Sequence, residues 1–565
     1  MKNYFLLLLI LIHGFVFGQQ SWYVSQQTGS DDHPGISPDA PFGTVSYAVG
    51  FLSPGDTLFF MGEFTNSSFD PDYVFSGDIN DPYIWNSENS VRITGVQGEV
   101  GKYITFKSYD ENTIFKGDGS NIVRFFNCSY VMIDGFDVYG QVESIPMETA
   151  KALQFLYKDA DGVVHYRVPP GTPEDEIDEL VLPVLENITR PSYTDTRGIY
   201  MSSVDHVIVK NSKVRYMPGV GLRLARCDYV NITGNEVHDC SRKSYSGTHG
   251  LVVSSAASID EYDGYKIFII GNLVHHNFNE IYSWSPNKTF ITTHIDEGKG
   301  ISLQKNVNEW LHGRFLVANN IAYWNGYSGV HANVAKSMDF INNTCYYNCY
   351  TALITYEDTV QYGKNMGISV STADDIKMIN NISVLDGGTK AFALSVASTT
   401  ELVVINNLIY GDGANLLKDS DVVAVEVNTI EADPLFKNPQ ANDFHLVSGS
   451  PAIDHADPGY APEYDYYGVY RDVPDIGAVE YISPQGFFNG KTFPYRVYPL
   501  PFDDHIVIEG NTEISLVKVY DISGKAVNLF AEKSVSGRMI LNTADLVPGV
   551  YILKIGDHTK TLIKQ

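Results

Sequence analysis

Apolar and polar residues alternate over short stretches, as in Val207-Ile208-Val209, Val230-Asn231-Ile232 and Phe340-Ile341, and each stretch runs into an asparagine. Alternation puts successive side chains on opposite sides of a strand, and Asn tolerates the left-handed backbone of a tight bend. The expected element is a strand followed by a turn. The phrase recurs as Asn211-Ser212-Lys213-Val214, Gly234-Asn235-Glu236-Val237, Gly271-Asn272-Leu273-Val274 and Asn319-Asn320-Ile321-Ala322. It continues as Asn342-Asn343-Thr344-Cys345, Asn380-Asn381-Ile382-Ser383 and Asn406-Asn407-Leu408-Ile409. From Asn211 through Asn235, Asn272, Asn320, Asn343, Asn381 and Asn407 the steps are 24, 37, 48, 23, 38 and 26 residues. The short steps define a coil, and the long ones are the same coil carrying loops. Units of this size bury a core only against their neighbours, so the pattern predicts an all-β solenoid with its asparagines stacked in a ladder.

A second column supports this. Gly221, Gly329 and Gly367 each lie 14 residues before their coil's asparagine, Gly198 lies 13 before Asn211, and Gly250 and Gly300 take the same place ahead of loops. The next residue is always apolar: Ile199, Leu222, Leu251, Ile301, Val330, Ile368. The expectation is that these face the lumen while the glycines form a bare outer strip. Tyr200, Arg223, Val252, Ser302, His331 and Ser369, two residues after each glycine, would then flank a floor suited to an extended polymer.

Composition narrows the class. Against 39 basic residues stand 67 acidic ones, a net charge of −28, which leaves no basic excess to replace phosphate counterions and argues against nucleic acid. The 44% hydrophobic content excludes wholesale disorder. Lys2, the apolar run Phe5 to Ile12 and the approach to Gly18 read as a secretory signal over residues 1–18. No later stretch is long and apolar enough to span a bilayer. Cys128, Cys227, Cys240, Cys345 and Cys349 fit no zinc spacing and read as buried apolar residues, with a Cys345–Cys349 bridge left open.

Over residues 20–485 the chain resembles the right-handed parallel β-helix superfamily, the pectate-lyase-like group of secreted polysaccharide enzymes. Trp22-Tyr23-Val24-Ser25, Gly29-Ser30-Asp31 and Pro54-Gly55-Asp56-Thr57 look like its N-terminal cap and first coil. Ala432-Asp433-Pro434-Leu435-Phe436 through Gly449-Ser450-Pro451-Ala452-Ile453-Asp454 to Asp475-Ile476-Gly477-Ala478 look like its final coils. The tail, with Tyr498-Pro499-Leu500-Pro501-Phe502, Val519-Tyr520-Asp521-Ile522-Ser523-Gly524-Lys525 and Val547-Pro548-Gly549-Val550-Tyr551, resembles the C-terminal sorting domain of the type IX (Por) secretion system of Bacteroidota. The division expected is a β-helix over 19–488, interrupted at 141–195, 241–263 and 279–313, then a small β-sandwich over 493–565. The acidic segment 141–195 reads as a solvated insertion. The resemblance implies passage by the type IX machinery to the surface or medium, and the chain reads as a monomer.

The loops at 241–263 and 279–313 carry Arg242, Lys243, Tyr245 and His249, then His294, Asp296, Glu297, Lys299, Lys305 and His312, with Arg314 beyond. With Arg223 and His331 this is the densest mix of cations and carboxylates in the array. The resemblance implies a polysaccharide lyase: a base removes the proton beside a uronate carboxylate while a cation neutralises that carboxylate. Lys299 or His331 would be the base, with Arg223 in the catalytic set. Asp296 and Glu297 would hold Ca²⁺. Arg223 or Arg314 would bind substrate carboxylates, and His249, Tyr245 and Trp324 would line the sugar. Each residue also has a structural reading: a solvated lysine, a stacked histidine, an arginine paired along the coil. Two other classes stay open. A glycoside hydrolase needs two carboxyls about 5–9.5 Å apart, and Glu297 with Asp260 or Glu261 is the pair available. A non-catalytic glycan-binding surface protein needs no such pair.

Overall fold

The computed structural model describes residues 19–482 except 292, 294, 296, 349–364, 386–390, 412–415 and 419–421, and most strands of 495–564. The expected signal segment, Asp296, His294 and Cys349 lie outside the described residues. The chain forms two compact units, Met1–Tyr481 and Ile482–Gln565.

The first unit is a parallel β-solenoid. One face is built from β1 (Asn89–Thr94), β2 (Asn121–Asp134), β3 (Arg197–Lys210), β4 (Leu222–Thr233), β5 (Leu251–Ser254), β6 (Tyr265–Ile270), β7 (Ile301–Asn306), β8 (Arg314–Ala318), β9 (Ser328–Ile341), β10 (Asn365–Ile379) and β11 (Ala391–Ile405). Short strands such as Lys213–Arg215, Glu236–His238, Leu273–His275, Ile321–Tyr323 and Thr344–Tyr346 stack into a second parallel sheet. Within β3 the apolar residues Ile199, Met201, Val204, Val207 and Val209 all point into a buried lumen. Alternation is restarted by left-handed residues, Ser203 (φ 54°) and His206 (φ 49°), and β4 repeats them at Arg226 and Tyr229. Pairing passes over these bends, Ser202 opposite Ala225 and then Val204 opposite Cys227. One long strand thereby covers two sides of the coil.

The asparagine ladder is present. Asn235 Nδ2 donates to Asn272 Oδ1 at 3.0 Å, and Asn272, Asn320, Asn343, Asn381 and Asn407 continue the series. Its first member is Ser212, whose backbone N–H donates to Asn235 Oδ1 at 3.0 Å, so the phrase at Asn211 is offset by one residue. The residue before each ladder asparagine is the left-handed one, as at Gly234, Gly271, Asn319, Asn342, Asn380 and Asn406.

Two expectations fail. The glycines do not form an outer strip. A Cβ on Gly221 would strike Val237 and Cys240, and on Gly250, Gly300 and Gly329 it would strike the amides of Asn277, Asn325 and Asn348. Those amides form a second buried ladder, five residues after the first, with Asn277 donating to Asn325 and Asn325 to Asn348 at 2.9 Å. Glycine is required by that close approach inside the corner. Residues 432–478 are not final coils either, since no strand after Ile430–Glu431 joins the parallel sheets among the described residues. The segment runs back over the second sheet. Asn319, Asn342, Asn380 and Asn406 tie it down by donating to the carbonyls of Tyr464, Asp475, Asp457 and His455. Phe444, Leu446, Ile476 and Ala478 pack there on Tyr323, Tyr346, Ile382 and Leu408.

Cys128, Cys227, Cys240 and Cys345 are free and buried, as their apolar reading requires. The C-terminal unit places two four-stranded antiparallel sheets around Val497, Ile506, Ile508, Val519, Leu541, Leu553 and Leu562. No helix among the described residues is long and apolar enough to cross a membrane.

Candidate functional site

Strand register assembles the site. Tyr200, Arg223, Val252, Ser302, His331 and Ser369 are aligned partners across β3, β4, β5, β7, β9 and β10. The residues just before the glycines form a parallel row, because Gly250 N–H donates to Lys299 O and Gly300 N–H to Ser328 O, both at 2.9 Å. His249, Lys299 and Ser328 therefore stand one above another beside the first column.

These rows meet at Glu297. Lys299 Nζ donates to Glu297 Oε2 at 2.7 Å and lies 4.6 Å from the Tyr327 ring centre. His249 is buried, accepts the Lys299 backbone N–H on Nδ1 at 3.4 Å, and holds Nε2 3.5 Å from Glu297 Oε2. Its Nε2 also meets the Gln304 amide at 2.5 Å, and Gln304 bonds Ser302 Oγ. Burial holds the His249 pKa well below the ordinary value, and the charges of Lys299, His331 and Arg223 add to the shift. That ring is neutral at neutral pH.

His331 has a defined tautomer. Its Nδ1 is 2.6 Å from Ser369 Oγ, Ser369 Oγ donates to Ser328 Oγ at 3.1 Å, and Ser328 Oγ donates to Val330 O at 2.9 Å. A hydroxyl that gives its own hydrogen away must accept from the ring, so Nδ1 carries the proton and Nε2 the lone pair. Arg223 donates to Ser254 Oγ at 3.1 Å, and burial lowers its pKa. It lies three strands from His331, roughly 14 Å at about 4.8 Å per strand, so the two do not act on the same sugar.

Other predicted residues fall elsewhere. Tyr245 is buried, its hydroxyl bonded to Pro191 O and its ring 4.5 Å from the Arg190 guanidinium. Arg314 is committed to Asp339 and Asp375, and these carboxylates raise its pKa despite burial. Trp324 follows the short strand Ile321–Tyr323 on the second sheet, where its ring packs edge-on against Tyr347 at 5.5 Å. None of the three stands in the Arg223–His331 column or in the row beside it. For calcium, Glu297 fits poorly: its carboxylate is held by Lys299 and neighbours His249, so a metal would have to displace the ammonium. No group of three or more His, Cys, Asp or Glu suited to a metal occurs among the described residues. Glu297 and Asp260 are also not a pair, because Glu297 precedes β7 whereas Asp260 follows β5 and bonds Lys266 and Tyr229.

The insertion 141–195 is not merely solvated. Its helix Met147–Leu153 and hairpin Leu156–Lys158/Val164–Tyr166 supply Ala150, Leu153 and Leu156 to a second core, and the chain around them adds Ile145, Val168, Ile177 and Leu182. Ile84, Tyr193, Tyr245, Ile281, Trp284 and Ile291 complete it. Trp284 Nε1 donates to Gln154 O at 2.6 Å, and Arg190 to Trp284 O at 2.9 Å. Segments from three insertions thus form one packed accessory body. A cavity of about 590 Å³ inside it is lined by Lys151, Phe155, Tyr166, Glu174, Glu280 and Tyr282 among others, and shares no lining residue with that column. The long insertions are themselves divided, 241–263 by β5 and 279–313 by β7.

Sequence reasoning passed over Arg92, Arg124, Gln304 and Ser328. Arg92 and Arg124 continue the Arg223 column in register. The signal was an apolar–Arg–apolar triplet, Val91-Arg92-Ile93 and Val123-Arg124-Phe125, repeated in Leu222-Arg223-Leu224.

A right handed beta helix region model matches residues 197–353, and a secretion system C-terminal sorting domain model matches 496–565. Among solved structures the chain is similar to the pectate lyase Pel9A at 14% identity, covering 82% of this chain and 97% of that one with a TM-score of 0.41. It is also similar to a glycoside hydrolase at 8% identity (73% and 96% covered, TM-score 0.43) and a rhamnogalacturonan lyase at 13% (73% and 87%, TM-score 0.31). A search of curated proteins finds no match. The sorting domain marks the chain for type IX export to the cell surface or the extracellular space. With its stacked parallel coils and that tail, the chain is a right-handed parallel β-helix protein carrying a C-terminal secretion sorting domain.

Proposed function

We propose that the protein is a polysaccharide lyase that cleaves an acidic, uronate-containing polymer by β-elimination along the Arg223–His331 column, between β4 and β9. One observation carries this reading: Lys299 and His249 gather at Glu297, just ahead of the strand next to that of His331, whose Nδ1 proton is fixed by Ser369. His331 Nε2 takes the proton beside the uronate carboxylate. The carbon–hydrogen bonding pair left behind forms the new carbon–carbon double bond as the carbon–oxygen bond breaks, and the departing glycosidic oxygen takes its proton from water. Lys299, one strand away, neutralises the substrate carboxylate, and Glu297 positions its ammonium. Arg223 binds the carboxylate of a more distant sugar. Calcium has no step here.

Fold similarity to carbohydrate-active enzymes is consistent with a glycan substrate and says nothing of the reaction. The test is a screen of alginate, pectate, ulvan and glycosaminoglycans beside neutral glucans and galactans. New ultraviolet absorbance from an unsaturated uronate is the expected product. Reducing ends without that absorbance mean a hydrolase, and binding without product means a glycan-binding protein.

A further inference from the structure

The column that contains Arg223 extends beyond the proposed centre, from β4 back to β1. Arg92, Arg124, Tyr200 and Arg223 are aligned partners on four successive strands. In a chain with 67 acidic and 39 basic residues, several arginines elsewhere find carboxylates, although Arg167 and Arg190 are held by carbonyls and a hydroxyl instead. Arg215 pairs with Asp137, Arg242 with Glu280, Arg314 with Asp339 and Asp375, and Arg471 with Glu480. Among the described residues Arg92, Arg124 and Arg223 have no such pair.

They are held open instead. Arg124 donates to Tyr200 O at 3.2 Å and Ser202 Oγ at 2.8 Å, with its guanidinium 4.2 Å from the Tyr200 ring centre. Arg223 lies 5.7 Å from the same ring, and its Nε is buried without a hydrogen-bond partner. Arg197 is 5.5 Å from that ring, and its nearest carboxylate is Asp195 at 3.5 Å. Phe126, 41% exposed, offers a flat face beside Arg124. Burial lowers the pKa of Arg124, and the charges of Arg197 and Arg92 lower it further. Like charges brought together at this expense in folding energy call for an anion. Past His331 the column reads Ser369 and Ser395, with no charge.

We propose that Arg92, Arg124, Tyr200 and Arg223 form a track that binds the acidic groups of a polyanionic glycan, on the β1 side of the Lys299–His331 centre. The proposal rests on the acidic-polymer reading above and adds where and in which direction the polymer lies. An extended chain along the solenoid axis meets one strand about every 4.8 Å, and the guanidiniums take its carboxylates or sulfates in forked hydrogen bonds.

The test is equilibrium binding to the full chain carrying His331→Ala, which separates binding from turnover. The probes are polygalacturonate, alginate and chondroitin sulfate, with fully methyl-esterified pectin as the uncharged control. Arg124→Gln is expected to weaken binding of the preferred acidic polymer about tenfold or more. Arg92 is exposed, so Arg92→Glu tests the track without touching the fold, and it should weaken binding and flatten its salt dependence. Ser395→Ala should change nothing. Esterified pectin bound as tightly as the acid form, no binding to any acidic probe, or Arg92→Glu and Arg124→Gln both binding like their parent would each overturn the track. Binding that depends on these arginines in a protein that releases no product from any polymer would sink the lyase and leave the track standing.

Discussion

The two faces of one coil use the same residue types to opposite ends. On the second sheet the charges around the stacked histidines are answered. Arg215 pairs with Asp137 at 2.7 Å, Lys213 with Glu236 at 2.9 Å, His275 with Glu236 at 3.3 Å and His238 with Asp239 at 2.7 Å. The rings of His238, His275 and Tyr323 stack at 4.7 and 4.6 Å, and Phe444 of the returning segment covers Tyr323. On the first sheet Lys266 and Arg314 are paired in the same way, with Asp228 and with Asp339 and Asp375. Lys299 and His249, however, share the one carboxylate of Glu297, and Arg92, Arg124 and Arg223 have no carboxylate partner among the described residues. A charge balanced by its neighbour along the stack is structure; a row of like charges kept apart from carboxylates is a surface waiting for a ligand.

The largest expected effect breaks this symmetry directly. Lys299→Ala and His331→Ala should each lower turnover about 10²-fold or more, with the melting temperature kept. His238→Gln on the second sheet should leave turnover unaltered. Steady-state kinetics of the three variants decides the matter, and full activity in both Lys299→Ala and His331→Ala would mean that the chemistry lies elsewhere.

Both faces depend equally on the ladder between them. Asn320 is fully buried, accepts from Asn272 and donates to Asn343. Asn320→Ala strands partners on each side and should cost about 1–3 kcal/mol, seen as a lower denaturation midpoint at unchanged slope. Asn319→Ala, next in sequence, leaves the ladder intact but loses the bond to Tyr464 O and the one accepted from buried Arg471, so it should loosen the returning segment rather than the coils.

That adjacent pair shows what could be read from sequence. Period, alternation and lumen residues were legible because they are local and repeat. The difference between Gly-Asn at 234–235 and Asn-Asn at 319–320 was also written in the chain, yet its meaning was not. The first asparagine anchors a segment more than a hundred residues away, and nothing local announces that partner. The glycine column misled for a similar reason: strand parity puts it outside, but the corner turns it toward Asn277 and Asn325. Lys299, His249 and Glu297 were named, yet Glu297 was given to a metal because spacing cannot show that a lysine two residues on folds back to it. Tyr245 looked like a sugar platform until the insertion 141–195, averaged as acidic, proved to carry spaced apolar residues that bury it.

Both faces should be acid-sensitive, the first through His249 and the second through its own buried histidines. Burial lowers the pKa of His275, and burial with the His275 charge lowers His276 from 6.5 to about 4. The unfolded chain then binds more protons than the folded one between about pH 4 and 6.5, so stability is complete above 6.5 and is lost as the pH falls through that window. Glu480, raised to about 7 by burial, acts oppositely, and its part is lost as the pH rises through 7. Comparing His276→Gln with the parent cancels that shared term. The variant should lose less stability between pH 6.5 and 4, measured by chemical denaturation across the range. Equal slopes would show that the second-face histidines take up protons without opposition.

The smallest expected effect is none, and it sharpens the role of Glu297. If its carboxylate serves Lys299, chelator should leave turnover unchanged, because the ammonium already supplies the positive charge that faces the substrate. Glu297→Gln should then lower the rate by releasing Lys299 from its 2.7 Å hydrogen bond, and added calcium should not restore it. If Asp296 and Glu297 are calcium ligands, the order reverses: chelator abolishes turnover, calcium restores it, and Glu297→Gln raises the calcium needed for half-activity. Turnover of one acidic polymer, followed by ultraviolet absorbance with chelator and with calcium, separates the two. A cation fixed by the protein works at any calcium concentration, whereas a borrowed one follows it.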